Sequence, residues 1–159
     1  MQRSLKGARP GSGGEGIKFA LGNSINTRLL IHYVGDAHQP LHSATLYSAD
    51  HPKGDRGGTQ FAVDGEHDIH SMHFLWDSAC YKYAERTELP LDGETWNRIG
   101  DEAASLVSQY PKSDFDLTVD FQAWTEEGLK IAKDFAYTLP EGSRPSQEYV
   151  DKCQEYSSR

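Results

Sequence analysis

The chain has 159 residues, of which 36% are hydrophobic and 11% aromatic, so it is long enough to form one soluble globular domain with a sizeable core. No apolar run approaches the roughly 18 residues needed to cross a membrane, and no targeting signal is visible near the start. The net charge of −8 has the wrong sign for a surface that reads duplex DNA, because neutralising phosphates requires lysine and arginine.

The start of the chain predicts a flexible lead-in followed by a helix. Residues 1–15 are rich in Gly, Arg and Ser, and we expect them to precede a single domain over residues 16–159. From about Ile17, apolar residues recur with a period near 3.6, which predicts a helix that ends near Pro40. The residues of this stripe are Phe19, Leu21, Ile25, Leu29, Leu30, Tyr33 and Val34.

The remainder predicts a long loop and four more helices. The polar segment from Tyr47 to Asp68 is interrupted by HPKGDRGG, and long loops in compact domains are often functional. Apolar periodicity then predicts helices from about Asp68 to Glu85, from near Asp92 to Pro111, from Leu117 or Thr118 to about Tyr137, and from Ser146 to Arg159. Because alternating strand patterns are absent, the predicted class is all-α.

Ionisable residues are concentrated at the end of the first helix, and their spacing recurs on the second. His32 and Asp36 are four residues apart, so they lie on one helical face and could bind one ion together. His73 and Asp77 repeat this spacing, and His42 lies just beyond the end of the first helix. Three histidines and two carboxylates form a nitrogen and oxygen set that suits zinc better than calcium or magnesium.

Each of these residues also has a purely structural interpretation. A single His-x-x-x-Asp pair is usually no more than a hydrogen-bonded pair, and it is the repetition together with His42 that favours a metal site. His38 falls on the other side of its helix from His32, so we expect it to support the ligands or to lie in the core. His70 lies on nearly the same face as Asp77 and is expected to orient or replace a ligand.

The string LIHYVGDAHQPLH at residues 30–42 resembles the signature of the zinc-dependent class I nucleases. That family includes the single-strand-specific nucleases S and P of moulds, the plant bifunctional nucleases and the trypanosomatid 3′-nucleotidase/nucleases. GDRGG at 54–58 resembles the family's Gly-Gly loop, and MHFLWDSAC at 72–80 resembles its second ligand helix. WTEEGLKIAKDFAY and PSQEYVDKCQ resemble later helices, so the resemblance covers most of residues 17–157.

The resemblance implies a mostly helical bundle similar to zinc phospholipase C, with three zinc ions in a cleft. Such an enzyme hydrolyses the P–O3′ bond of single-stranded DNA and RNA and removes the phosphate of 3′-mononucleotides. By motif position, His32 would bind the first zinc of a close pair, and Asp36 would bridge that pair as the catalytic carboxylate. His42, His73 and Asp77 would bind the remaining zinc.

The Gly-Gly loop and the ligand count depart from the family pattern. Gly57, Gly58 and Thr59 are the loop residues expected to contact substrate, and Thr59 replaces the usual asparagine. Three zinc sites with about three protein ligands each need roughly eight or nine ligands even with sharing, and this chain offers five. We therefore expect an internal fragment or truncated gene product, lacking N- and C-terminal parts of the domain, that fully ligates about one zinc.

The resemblance also implies a secreted or cell-surface location and, with it, a disulfide between Cys80 and Cys153. From the residues alone, two buried thiols are about as well supported. The expected partner is single-stranded nucleic acid or a 3′-mononucleotide, without duplex readout and without a membrane segment. Two alternatives stay open: a zinc phospholipase C-like hydrolase acting on lipid phosphodiesters, and a non-catalytic zinc-binding module.

Overall fold

The structure is a computed structural model that describes residues 14–85, 87–111 and 119–158. Its α-helices are α1 (Gly14–His38), α2 (Met72–Asp77), α3 (Gly93–Gln109), α4 (Phe121–Asp134) and α5 (Gln147–Ser157). Two 3-10 turns lie at Pro40–Ser43 and Ala136–Thr138. The described residues contain one isolated bridge, between Ala62 and Ser71, and no strand, so the all-α class is confirmed. No helix among them has the length and apolarity required to cross a bilayer.

Four of the five predicted helices lie close to their predicted positions. Asp92, Asp120 and Ser146 precede α3, α4 and α5, and each side chain accepts a backbone N–H of the first turn, as an N-cap does. The predicted start of α4 at Leu117 or Thr118 lies outside the described residues. The predicted lead-in falls largely on residues 1–13, which also lie outside them.

The second helix is shorter than predicted. Periodicity indicated a helix over 68–85, but α2 spans only Met72–Asp77. The backbone has positive φ angles before α2, 55° at His67 and 59° at Asp68, and again after it at residues 79–81. Residues in the left-handed region cannot continue a right-handed helix, so the segment is a short helix between two sets of turns.

The hydrophobic core includes the buried side chains of α2. It contains Leu41, Phe61, Val63, Ile69, Met72, Leu75, Trp76, Cys80, Ala132, Ala136, Leu139, Tyr149, Val150 and Cys153. Trp76 Nε1 donates to the Tyr149 hydroxyl at 3.2 Å, and that hydroxyl donates to the Ala136 carbonyl at 2.8 Å. Burial raises the pKa of Tyr149 to about 12. The polar atoms of the core are therefore satisfied, which rigidifies the contact between α2 and α5.

The apolar stripes of α1 and α3 are exposed. Phe19 and Ile25 on α1 are exposed, and Trp96 on α3 is 68% exposed. The periodicity therefore predicted helices correctly, while the core of the described residues is built from other segments. At its C-terminal end, α1 meets α4 where the His38 ring lies 4.4 Å from the Trp124 ring.

A disulfide joins Cys80, three residues after α2, to Cys153 on α5. Both cysteines are completely buried, and 73 positions separate them in the sequence. This confirms the pairing expected from the family resemblance. Because α2 carries two predicted ligands, the bond fixes the base of the site to the last helix.

Replacing both cysteines with alanine is expected to lower the free energy of unfolding by about 4 kcal/mol, because the bond restricts a 73-position loop in the unfolded chain. Denaturant unfolding followed by circular dichroism measures the change. The wild-type chain should lose a similar amount when it is unfolded in the presence of a reductant. Two reactive thiols in denatured, non-reduced protein would show that the bond is absent.

Candidate metal centre

The end of α1 and the turn after it bring the first three predicted ligands together. The Gln39 side-chain oxygen caps the turn Pro40–Ser43 and accepts, among others, the backbone N–H of His42. This turn directs His42 back towards α1, so that its Nδ1 lies 3.7 Å from Asp36 Oδ1. The other carboxylate oxygen, Oδ2, lies 3.3 Å from His32 Nε2. Asp36 therefore lies between two histidines, with one oxygen facing each.

α2 supplies the other pair of ligands. Ser71 caps this helix, and one turn of it places His73 Nε2 3.5 Å from Asp77 Oδ2. Across the gap between the elements, His42 Nε2 lies 3.7 Å from Asp77 Oδ1, and the two imidazole rings stack with their centroids 5.0 Å apart. Ligand atoms of His42, His73 and Asp77 therefore all lie within 4.8 Å of one another.

These separations fit one metal ion bound by nitrogen and oxygen. Ligand atoms bound tetrahedrally at about 2.0–2.2 Å from an ion lie roughly 3.3–3.6 Å apart. The His73 ring also donates from Nδ1 to the Gly57 carbonyl at 2.7 Å, and Gln39 Nε2 donates to Asp77 Oδ1 at 2.8 Å. Contacts of this kind orient metal ligands, and the first of them leaves His73 Nε2 free to accept an ion.

The five predicted ligands form one continuous cluster, but they divide into two groups. Within the described residues, His42, His73 and Asp77 form the one group of three residues whose ligand atoms are all close to one another. His32 and Asp36 contact each other at the edge of this group, and the His32 side chain is 67% exposed. The assignment of His32 and Asp36 to a metal position separate from that of the other three stays a prediction.

Two other histidines differ from expectation. His38 is exposed rather than buried, and its Nδ1 donates to the Val34 carbonyl at 2.7 Å instead of contacting a predicted ligand. His51 lies in the polar loop, whose composition indicates solvated side chains. Its side chain is only 11% exposed, and its Nε2 lies 3.0 Å from Glu141 Oε2.

A buried carboxylate that sequence reasoning missed anchors the loop at residues 54–58. Asp55 is fully buried, and its two oxygens accept hydrogen bonds from the Leu46 N–H at 2.9 Å and the Tyr137 hydroxyl at 2.7 Å. Burial and the hydrogen bond to this carboxylate raise the pKa of Tyr137 well above its ordinary value. The polar composition of the segment indicated a solvated loop, so the sequence gave no sign of this anchor.

Gly57 and Gly58 of this loop contact α2 through their carbonyl groups. The Gly58 carbonyl accepts the His73 backbone N–H at 3.2 Å, while the Gly57 carbonyl accepts the His73 ring N–H. A Cβ on Gly57 would lie 2.5 Å from the Leu41 carbonyl oxygen, and the φ of 63° also favours glycine. Both glycines are buried, whereas Thr59 is exposed. Substrate contact by these three residues stays a prediction.

Comparison with known proteins places the chain in a family. Residues 20–159 match the family model described as S1/P1 Nuclease. The chain is also similar to Endonuclease 5 of Arabidopsis thaliana, with 41% identity over 49 residues, which is 31% of this chain and 14% of the relative's length. No solved structure gives a significant match. The match covers most of the chain, so this all-α chain, with its histidine and aspartate group that could hold a metal, belongs to the S1/P1 nuclease family.

The Tyr137→Phe variant is expected to lose about 1–3 kcal/mol of stability, because one oxygen of the buried Asp55 carboxylate loses its donor. Denaturant unfolding measures this difference. Tyr47→Phe is the matched control, since Tyr47 is exposed, and its stability should stay within about 0.5 kcal/mol of the wild type. Equal stabilities of the two variants would mean that Tyr137 does not anchor Asp55.

Proposed function

We propose that the protein is a zinc-dependent phosphodiesterase that hydrolyses the P–O3′ bond of single-stranded DNA and RNA and removes the phosphate of 3′-mononucleotides. The observation that carries this proposal is the convergence of His42, His73 and Asp77 within 4.8 Å in a chain of the S1/P1 nuclease family. The name of the similar Arabidopsis protein, Endonuclease 5, supports cleavage within a strand.

Zinc is the ion that this donor set favours. Two imidazoles and one carboxylate form a three-ligand set of the kind found at catalytic zinc sites, where a fourth position stays open. Calcium and magnesium would require mainly oxygen ligands. When bound, zinc would supply a Lewis acid for the phosphate and a lowered pKa for the attacking water. His42, His73 and Asp77 would bind it, while Gln39 and Gly57 keep two of these ligands in orientation.

Asp36 is the residue to which we assign catalysis. Its two oxygens face His32 on one side and His42 on the other, so this carboxylate lies between the closed three-residue group and the exposed His32. In the three-zinc arrangement implied by the family, it would bridge the pair that His32 helps to bind. The ligands described here complete about one zinc site, and the pair requires further ligands.

The acidic character of the chain limits the class of substrate. A net charge of −8 offers no extended basic surface for duplex DNA, so positive charge for a phosphate has to come from the metal centre itself. A single strand or a mononucleotide can bring one phosphate to that point, where Gly57, Gly58 and Thr59 are proposed to contact it. The Cys80–Cys153 bond supports a secreted or cell-surface location, because disulfides persist in oxidising compartments.

After dialysis against metal-free buffer, the chain is expected to retain about one zinc, because three ligands of one site are already close together. Elemental analysis measures the content. His73→Ala and Asp77→Ala should each remove most of it, whereas His38→Ala, which alters a histidine outside the group, should leave it unchanged. Equal zinc content in all of these variants would contradict the assigned ligands.

In a longer chain that supplies the remaining ligands of the zinc pair, Asp36→Asn is expected to reduce hydrolysis of 3′-AMP and single-stranded RNA by about 100-fold, because a ligating carboxylate loses its charge. His38→Ala should change these rates by less than about threefold, since this side chain contacts Val34 and Trp124 instead of the ligands. Rates are compared under saturating zinc. Equal losses would show that the assignment is wrong, and faster turnover of phosphatidylcholine than of 3′-AMP would favour the phospholipase alternative.

A further inference from the structure

A groove beside His42 and His73 is lined by a cationic side chain, Arg56, which has no role in the function proposed above. The groove has a volume of about 570 Å³, and its lining includes Asp36, His42, His73 and Thr125. Arg56 is the one lysine or arginine among the described residues that line it. Positive charge and potential metal ligands therefore face the same space.

Arg56 has no acidic partner among the described residues. Its side chain is exposed, and no carboxylate in residues 14–85, 87–111 or 119–158 forms an ion pair with it. By contrast, Arg98 pairs with Glu85 and Arg144 with Asp64. In a chain with a net charge of −8, an unneutralised guanidinium at the edge of the metal group can bind an anionic ligand.

The backbone of Arg56 is fixed on both sides. Asp55 before it is fully buried and hydrogen-bonded, and the carbonyl of Gly57 after it accepts the His73 ring N–H. The φ of Arg56 is 56°, in the left-handed region that few non-glycine residues adopt, and its carbonyl accepts the Thr59 N–H at 3.3 Å. Such conformations persist where the surrounding structure imposes them, and they cluster at ligand sites.

We propose that Arg56 binds a phosphate oxygen of the substrate next to the ion bound by His42, His73 and Asp77. This inference rests on the proposed function and adds a substrate-binding residue to it. A guanidinium is always charged and can donate two parallel hydrogen bonds to one phosphate group. The Asp36 carboxylate lines the same groove and repels an anion, so the positive charge of Arg56 adds to that of the metal ion in offsetting this repulsion.

The test compares Arg56→Met with Lys53→Met. Lys53 is exposed, lies in the same loop and does not line the groove, so its variant removes the same charge at a different place. Inorganic phosphate is the probe, because it cannot be hydrolysed, and calorimetry on the zinc-loaded full chain measures its affinity. Arg56→Met should weaken binding at least about tenfold, whereas Lys53→Met should change it by less than about twofold.

A further variant separates charge from geometry. Arg56→Lys should recover only part of the lost affinity, because an ammonium restores the charge without the paired donors of a guanidinium. Zinc content should be the same in all three variants and the wild type, since Arg56 is not a ligand. In hydrolysis of 3′-AMP, Arg56→Met should raise KM.

Equal phosphate affinities of Arg56→Met and Lys53→Met would overturn the inference, and so would a zinc-loaded wild type that does not bind phosphate. Zinc content, measured on the same samples, distinguishes this failure from failure of the proposed function. Variants that retain zinc and hydrolyse 3′-AMP with unchanged KM refute the assignment of Arg56 alone. A wild type that binds no zinc refutes the metal site. In that case the assignment of Arg56 as a phosphate-binding residue is retained only if Arg56→Met still weakens phosphate binding to the metal-free chain.

Discussion

The arrangement of the site depends on the two hydrogen bonds that the buried carboxylate of Asp55 accepts. A carboxylate away from water is costly unless hydrogen bonds replace its hydration, so Asp55 determines where its two donors lie. One donor, the Leu46 N–H, belongs to the segment that follows the capped turn, and the other, the Tyr137 hydroxyl, belongs to the turn after α4. The loop that contains Asp55 also contains Gly57, whose carbonyl accepts the His73 ring N–H and so orients this ring. Asp55, which is not itself a predicted metal ligand, thus connects the elements that carry the predicted metal ligands.

α4 makes a second contribution without supplying a ligand. This helix packs against the turn Pro40–Ser43, and Gly128 faces that turn: a Cβ there would lie 3.4 Å from the Pro40 Cα, which is an ordinary van der Waals distance. α4 therefore packs against one side of the turn. The Gln39 side chain caps the turn and also donates to Asp77. Packing and capping therefore hold His42 in its place, and under the proposed function the same contacts would preorganise the three-residue group for an ion.

The sequence predicted those features that depend on local spacing. His32 with Asp36 and His73 with Asp77 were recognised because residues four apart share a helical face, and this holds even though α2 is much shorter than predicted. The ends of α2 could not be predicted, because the left-handed residues on either side of it include no glycine or proline. Asp55 was missed for a related reason: a charged residue between glycines indicates a solvated turn, and burial depends on tertiary contacts far along the chain.

Under the proposed function, an acidic chain has to act on an anionic substrate. A net charge of −8 repels an anion at long range, so recognition would have to rely on positive charges that act at contact distance in the open groove. The metal group and Arg56 are adjacent there, and both are fixed by the loop that Asp55 anchors. A duplex would have to bring its whole phosphate surface to an acidic protein, whereas a flexible strand or a mononucleotide needs to present only one phosphate. Selection of single-stranded substrates would then follow from the contrast between a repulsive surface and a locally attractive groove.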